Sequence, residues 1–205
     1  MLRLGLTGGI ASGKTAVAAM LRELGFAVLA ADSLAHKLIE PGQPAYDEVV
    51  REFGPAILDP DRRVNRAKLA DIVFADRARL DRLNAILHPR VEVATNRQFE
   101  EWSRDGARDA AFVEAALLVE AGFHKKLDGL VVTWCRPEQQ LERLRSRGFS
   151  DEEARRRIAA QLPVDEKLRH ATEKIDCSGT PEETRRQVEA LAAKLRGGAP
   201  HSLSS

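Results

Sequence analysis

The feature that most constrains this chain is a glycine-rich stretch close to its amino end. Residues 8–15 read GGIASGKT and fill every fixed position of the pattern G-x-x-x-x-G-K-[ST], whose backbone cradles phosphate groups. An apolar run, 2–6, precedes the glycines, and helical spacing of Val17, Met20 and Leu21 follows them. Phosphate binding of this kind requires a strand, a tight loop and a helix in that order. The sequence therefore predicts a phosphate-binding loop at the start of an α/β sheet.

The residue types in this stretch each have a chemical reason. Gly8 and Gly13 permit backbone angles barred to other residues, so successive N–H groups can turn toward phosphate oxygens. Lys14 is placed to reach the β- and γ-phosphates as a point charge, and the Thr15 hydroxyl is placed to ligate the accompanying Mg²⁺. A glycine turn with an incidental lysine is the alternative.

Composition and charge narrow the class of protein. The 205 residues are 43% hydrophobic and 31% charged, as in ordinary soluble proteins with one substantial core. A net charge of +1 gives no bulk electrostatic reason to expect nucleic acid or membrane as a partner. No apolar run could span a bilayer, and the early phosphate-binding stretch leaves no removable signal. Cys135 and Cys177 lack metal-ligand spacing, so we expect reduced, buried thiols in a cytoplasmic protein.

A second apolar run, 28–31, predicts a buried strand that ends at Asp32. Ligands of open α/β sheets bind outside the carboxyl ends of the strands, so we expect Asp32 at the same edge as the phosphate-binding loop. Alternatively, Asp32 caps a helix over 33–39. The two roles are compatible.

Between residues 45 and 104 the pattern is helical, with apolar residues three or four positions apart. We interpret this block as helices packed on one another and inserted between strands, where they would bind an acceptor molecule. Pro89 is predicted to end a helix and to leave His88 extended. His88 is therefore a candidate ligand contact, although a lone histidine is more often structural.

Three further strands are predicted, at 111–114, 130–133 and 174–176. An apolar loop follows the first of them and brings two carboxylates, Glu114 and Glu120, near the same sheet edge. Thr180 is expected to open a last helix, which stops before Gly197.

Arginines cluster in two predicted helices on either side of Gly148. They are Arg143, Arg145 and Arg147 in the first helix and 155–157 in the second. Ser150 and Glu153 have the spacing of a capping box, so the second helix starts afresh after the break. The pattern predicts a mobile lid that brings guanidinium groups onto phosphates. A solvated charged face is the alternative.

These patterns predict one domain, residues 1–198, followed by a disordered tail, 199–205. Its core would comprise about 1–40, 106–140 and 172–198. The helical acceptor region would take about 41–105, and the lid about 141–171.

Short stretches along nearly the whole chain carry a family resemblance. They are LTGGIASGKT at 6–15, ADSLA at 31–35, PG at 41–42, FG at 53–54, VFAD at 73–76, LNAILHPRV at 83–91, LLVE at 117–120 and RIAAQ at 157–161. Together they resemble the dephospho-CoA kinases. That family implies a P-loop fold, with a parallel sheet flanked by helices, an inserted helical acceptor-binding region and an arginine-rich helical lid. It also implies transfer of the γ-phosphoryl group of ATP to the ribose 3′-hydroxyl of dephospho-CoA, the last step of coenzyme A synthesis.

The resemblance also implies site residues and ligands. The catalytic residues would be Lys14, Asp32, Arg143 and Arg147, with Asp32 as the base or orienting group for the 3′-hydroxyl. Contacts to ATP would come from Gly8, Gly9, Ala11, Ser12, Gly13, Lys14, Thr15, Ala16, Arg157 and Cys177, and Thr15 would also hold Mg²⁺. Contacts to dephospho-CoA would come from Asp32, His88, Leu117, Glu120 and Gln161. The oligomeric state stays open.

Three positions depart from the family pattern. Ala116 stands where the family usually has proline, Arg62 where it often has glycine, and Cys177 where it usually has asparagine. The first two alter loop shape more than chemistry, whereas the third bears on the adenine contact.

Two other functions remain possible at this point. Another small-molecule P-loop kinase, for instance one acting on nucleoside monophosphates, would differ only in its acceptor. A nucleotide-dependent switch would bind a partner and transfer nothing. A GTPase switch would be expected to carry an N-K-x-D motif, which the sequence lacks.

Overall fold

A computed structural model describes residues 1–106 and 109–197. Five strands in these residues form one sheet: β1 (Leu2–Gly8), β2 (Ala27–Ala30), β3 (Ala110–Glu114), β4 (Gly129–Trp134) and β5 (Glu173–Asp176). The same residues contain nine α-helices: α1 (Lys14–Glu23), α2 (Ala31–Leu38), α3 (Tyr46–Phe53), α4 (Arg66–Ala75), α5 (Arg77–Arg104), α6 (Pro137–Arg145), α7 (Asp151–Ala159), α8 (Val164–Arg169) and α9 (Pro181–Arg196). Gly198 and the predicted tail, 199–205, lie outside the described residues.

The sheet is parallel and has β1 at its centre. Its spatial order is β2-β3-β1-β4-β5. Leu6 of β1 lies opposite Glu114 of β3 on one side and Val131 of β4 on the other. Because parallel strands end at one edge, this register brings the end of β3 beside the end of β1. The predicted parallel sheet flanked by helices is confirmed.

The chain divides into two compact units. The first contains Met1–Leu29 and the described part of Phe99–Ser205, and the second contains Ala30–Gln98. In the first unit, helices α1 and α9 pack on the sheet. Their shared core is built from buried aliphatic and aromatic side chains, including Leu4, Leu6, Val17, Leu21, Phe112, Val131, Val188 and Leu191.

The second unit has a helical core of its own, as the apolar spacing predicts. Helices α2, α3 and α4 contribute to it, together with the first part of α5. Its buried side chains include Leu38, Val49, Phe53, Ile57, Leu69, Val73, Ile86 and Leu87. Asn65 caps α4 by accepting a hydrogen bond from the backbone N–H of Lys68 at 3.0 Å. Arg62, at the position where the dephospho-CoA kinases often have glycine, adopts a left-handed φ of 66°.

The predicted helix break at Pro89 is wrong. Helix α5 is continuous from Arg77 to Arg104, with Pro89 inside it, so His88 is helical rather than extended. A proline inside a helix removes one backbone hydrogen bond. Ile86 and Leu87 are buried in the core of the second unit just before the proline. Their burial holds the helix at a position that local propensity disfavours.

Two predicted helix starts differ in detail. Ala30 occupies the cap position of α2, so Asp32 lies in the first helical turn and is not the cap. A carboxylate there is favoured by the positive end of the helix dipole. Ser150 caps α7 as predicted, but the Glu153 carboxylate accepts from Arg157 instead of completing the capping box. In the described part of the chain, no helix is both long and apolar enough to cross a membrane.

Candidate active site

The glycine-rich loop after β1 is a closely fitted backbone cradle. Gly13 has a left-handed φ of 101°, and Ala11 a φ of 59°. A Cβ on Gly8 would lie 2.2 Å from Thr133 Oγ1, and a Cβ on Gly13 would lie 2.7 Å from Cys177 Sγ. Neither position can accept a side chain without displacing its neighbour. Packing thus requires glycine at both positions, whereas the backbone angle requires it only at Gly13, so the special angle predicted for Gly8 is wrong.

Hydroxyl groups support the loop from the sheet. The hydroxyls of Ser12 and Thr133 lie 2.8 Å apart, and Thr133 donates to the carbonyl of Thr7 at 3.3 Å. Ser12 is 2% exposed, so its side chain supports the loop instead of facing solvent. Helix α1 starts directly after the loop, and its first intrahelical bond runs from the N–H of Val17 to the carbonyl of Gly13. The backbone N–H groups of the first helical turn, before Val17, therefore have no partner within the helix and can donate to a bound anion.

Lys14 is paired with an acid that the sequence did not single out as a site residue. Its Nζ donates to Oε1 of Glu114 at 2.7 Å, and Arg22 Nη2 lies 3.6 Å from the other carboxylate oxygen. The side chains of Lys14 and Glu114 are only 15% and 9% exposed. A phosphate that binds Lys14 must therefore compete with Glu114. Thr15 and Ala16, by contrast, are exposed in the first turn of α1.

Three side chains, one from α6 just before the predicted lid and two from the lid itself, bind the loop. Gln140 Nε2 donates to the carbonyl of Ile10 at 2.7 Å, while Gln161 Oε1 accepts from the amide of Ile10 at 2.8 Å. Arg143 donates to the carbonyl of Ala11 at 3.1 Å and to that of Cys177 at 2.6 Å. The peptide groups around Ile10 are thus held on both sides. Arg143, predicted to be catalytic, and Gln161, predicted to contact dephospho-CoA, both bind the backbone of the phosphate-binding loop, and those predicted roles stay predictions.

Of the other lid arginines, Arg157 lies on α7, whereas Arg147, predicted in the first helix, lies in the turn that follows α6. Gly148 separates the helices with a left-handed φ of 88°, as the predicted break requires. Arg157 packs over the ring of Phe149, with its guanidinium carbon 4.4 Å from the ring centroid, and pairs with Glu153 at 2.9 Å. Arg147 is exposed. The contacts of Arg157 are to residues of the lid itself, and its contact with ATP stays a prediction.

The loop after β3 carries two of the predicted acceptor contacts. Leu117 is 36% exposed. Glu120, in contrast, accepts the backbone N–H of Leu162 at 3.1 Å and pairs with Lys167 at 2.8 Å. Its carboxylate is therefore engaged by the protein, and its role toward an acceptor stays a prediction.

Asp32 and His88 belong to the second unit. Only Ala31 separates Asp32 from the end of β2, and Asp32 is exposed in the first turn of α2. His88 is exposed on α5, yet partial burial of its ring lowers its pKa, which favours the neutral imidazole. Both side chains are accessible to a ligand, and their roles stay predictions.

Comparison with known proteins identifies the family. A sequence profile described as dephospho-CoA kinase matches residues 2–183. The chain belongs to the dephospho-CoA kinase family. A dephospho-CoA kinase from Symbiobacterium thermophilum is 47% identical to it, over 98% of this chain and 86% of that protein.

Solved structures agree with this assignment. A dephospho-CoA kinase from Campylobacter jejuni has a TM-score of 0.72 and 25% identity, over 95% of this chain and 98% of that one. A shikimate kinase from Bacteroides thetaiotaomicron has a TM-score of 0.50 and 15% identity, over 95% of this chain and 98% of that one. The second likeness concerns the fold alone.

Cys177, which replaces the asparagine usual in the dephospho-CoA kinases, lies under the phosphate-binding loop. Its thiol is buried against Gly13, and this burial raises the pKa of the thiol to about 11. Cys135 is buried against the same loop, with its Sγ 3.8 Å from the carbonyl oxygen of Ala11. Both cysteines are free thiols, as predicted.

The sequence did not single out two charged residues that each form an ion pair near the predicted site, Glu114 and Lys167. Glu114 was noted only as one of two acids near a strand end, and its place as the last residue of β3 is the signal that could have selected it. Lys167 gave no signal, because it lies in an ordinary charged stretch of α8. Only the packing of the chain reveals that it is buried.

Proposed function

We propose that this chain transfers the γ-phosphoryl group of ATP to the ribose 3′-hydroxyl of dephospho-CoA, giving coenzyme A and ADP. The observation that carries the proposal is the membership in the dephospho-CoA kinase family, which extends over residues 2–183. The geometry of the loop around Lys14 supports it, because a fitted glycine cradle at a helix start suits a polyphosphate. We further propose that the reaction takes place in the cytoplasm, a compartment that suits two free thiols.

The phosphates would be bound chiefly by backbone amides of the loop and the first turn of α1. Lys14 would leave Glu114 and bind the terminal phosphates of ATP instead. The negative charge of the phosphates would then take the place of the carboxylate as the partner of the ammonium group. Thr15 and Glu114 supply hydroxyl and carboxylate oxygens of the kind that Mg²⁺ prefers, so the residues present fit this ion. When bound, Mg²⁺ would neutralise charge on the phosphate oxygens.

Asp32 would orient the acceptor hydroxyl and accept its proton. A sugar hydroxyl is almost entirely protonated at neutral pH, so a nearby carboxylate is useful late in the transfer. Positive charge around the transferred phosphoryl group would come from Arg143, Arg147 and Arg157. This type of catalysis relies on positioning and charge neutralisation, since phosphoryl transfer leaves little covalent work for the protein.

An acceptor panel tests the proposal. The protein is incubated with Mg-ATP and, separately, dephospho-CoA, its 3′-deoxy analogue and several nucleoside monophosphates, and products are read by mass. We expect a single added phosphate on dephospho-CoA and none on the 3′-deoxy analogue. Phosphorylation of a nucleoside monophosphate alone would establish a different small-molecule kinase. Hydrolysis of ATP without any phosphorylated acceptor would instead support a switch.

A further inference from the structure

Lys167 is a buried cation with two partners on a single loop. The whole residue is 0% exposed, which is rare for lysine. Its Nζ donates to the carbonyl of Ala116 at 2.6 Å and lies 2.8 Å from Oε1 of Glu120. One ammonium group therefore binds the loop between residues 116 and 120 at both of its ends.

The position of this loop follows from the sheet. Ala115, just before the loop, donates its N–H to the carbonyl of Leu6 in β1 at 3.1 Å. The residue before it is Glu114, the partner of Lys14. The loop therefore leaves the sheet at the carboxyl edge, next to the phosphate-binding lysine. Ligands of open parallel sheets bind outside this edge.

A second donor and a second acceptor complete the arrangement. The hydroxyl of Thr7 also donates to the carbonyl of Ala116, at 3.2 Å. The carboxylate of Glu120 also accepts the amide of Leu162, just after the lid helices, at 3.1 Å. Leu117, between the two fixed ends, is left 36% exposed.

Stability alone is a weak reason for such a lysine. Taking an ammonium group out of water is costly, and apolar residues of similar volume often replace buried ion pairs without loss of stability. What an apolar side chain cannot do is donate to Ala116 and Glu120 together. The arrangement therefore favours a role in fixing the loop.

We propose that Lys167 is a positioning residue for the acceptor: by binding Ala116 and Glu120 it fixes the loop that presents Leu117 at the phosphate edge. The proposal rests on the proposed function and on the predicted contacts of Leu117 and Glu120 with dephospho-CoA. It concerns the acceptor alone, because no contact of Lys167 reaches the nucleotide loop in the described residues.

The test compares Lys167→Met with Val188→Ala. Both variants disturb buried positions of the first unit, but Val188 lies in the core between the sheet and α9, away from the loop. We expect Lys167→Met to raise the acceptor KM at least tenfold and to change the KM for ATP less than twofold. We expect Val188→Ala to lower the melting temperature and to leave both KM values within twofold of wild type. Equal rises of the acceptor KM in the two variants would show that Lys167 is merely structural, and an unchanged KM in Lys167→Met would overturn the proposal.

A milder variant covers the case in which Lys167→Met does not fold. Thr7→Val keeps the volume of the side chain and removes only the second donor to Ala116. We expect a two- to threefold rise in the acceptor KM, with the KM for ATP unchanged. A change confined to the KM for ATP would contradict the proposal.

Hydrogen exchange gives a readout that does not depend on the acceptor. In Lys167→Met the amides of residues 115–120 should exchange at least tenfold faster than in wild type, and in Val188→Ala they should not. Unchanged exchange would refute the positioning role even if activity fell.

If the wild-type protein instead phosphorylated a different acceptor, the proposed function would fail, and the KM for that acceptor would still decide the role of Lys167.

Discussion

Lys14 and Glu114 form a largely buried ion pair at the phosphate-binding loop, with 2.7 Å between Nζ and Oε1. The two residues stand 100 positions apart in the chain, and the register of β1 and β3 brings them together. The same ammonium group is expected to bind the phosphates of ATP. The Glu114 carboxylate and the nucleotide therefore compete for Lys14.

Glu114→Gln should tighten the binding of ATP in the absence of metal. The amide no longer competes for Lys14 as a charge, so we expect a gain of about 1 kcal/mol, or roughly fivefold in Kd. Titration calorimetry in EDTA measures it. Glu23→Gln is the matched control, since Glu23 pairs with Arg185 on the surface, and it should leave the Kd unchanged. Weaker or equal binding in Glu114→Gln would mean that Lys14 does not leave the carboxylate for phosphate.

Asp32→Asn should lower kcat by about 10²- to 10⁴-fold while the fold stays intact, because an amide cannot accept the proton of the acceptor hydroxyl. Asp47→Asn is the control, since Asp47 is another exposed acid in the first turn of a helix in the same unit. Both substitutions should cost about 0.3–1 kcal/mol of stability through the helix dipole. Steady-state kinetics and thermal melts separate the two effects, and full activity in Asp32→Asn would remove this residue from the mechanism.

Arg157→Ala should slow turnover with little change in melting temperature. Its pair with Glu153 is partly exposed and of the kind that contributes about 0–1 kcal/mol. If the guanidinium moves onto a phosphate during lid closure, the loss of a charge-assisted bond should cost about 10- to 100-fold in kcat. Arg145→Ala, which breaks another exposed pair in the lid, should leave kcat unchanged. A lower melting temperature as the main effect of Arg157→Ala would show that the arginine is structural.

Alkaline pH should destabilise the protein through Cys177. Burial raises the pKa of this thiol to about 11 in the folded state, above its unfolded value. As pH rises from about 9 to 11, the unfolded chain loses its proton first, so the stability that the neutral thiol provides falls by on the order of 2 kcal/mol. Denaturant melts at several pH values measure the slope. Cys177→Ala should flatten it relative to wild type, and identical slopes would contradict this prediction.

The second unit shows why some local structure could not be predicted from the sequence. Pro89 is a local signal for a helix end, yet α5 continues through it. The burial of Ile86 and Leu87 in a core shared with α2, α3 and α4 decides the outcome. Local helix propensity predicts structure poorly wherever tertiary packing contributes more to the free energy of folding.

The sequence by itself determined the phosphate-binding loop, the five strands and their order along the chain, and the break at Gly148, because these depend on the backbone angles and periodicity of neighbouring residues. Only the tertiary structure decided that Lys14 meets Glu114 and that Lys167 is buried against Ala116. These partners are 100 and 51 positions apart, and their meeting depends on strand register and helix packing. A charged residue looks the same in sequence whether it faces water or a buried carbonyl, and only the packed chain excludes the water.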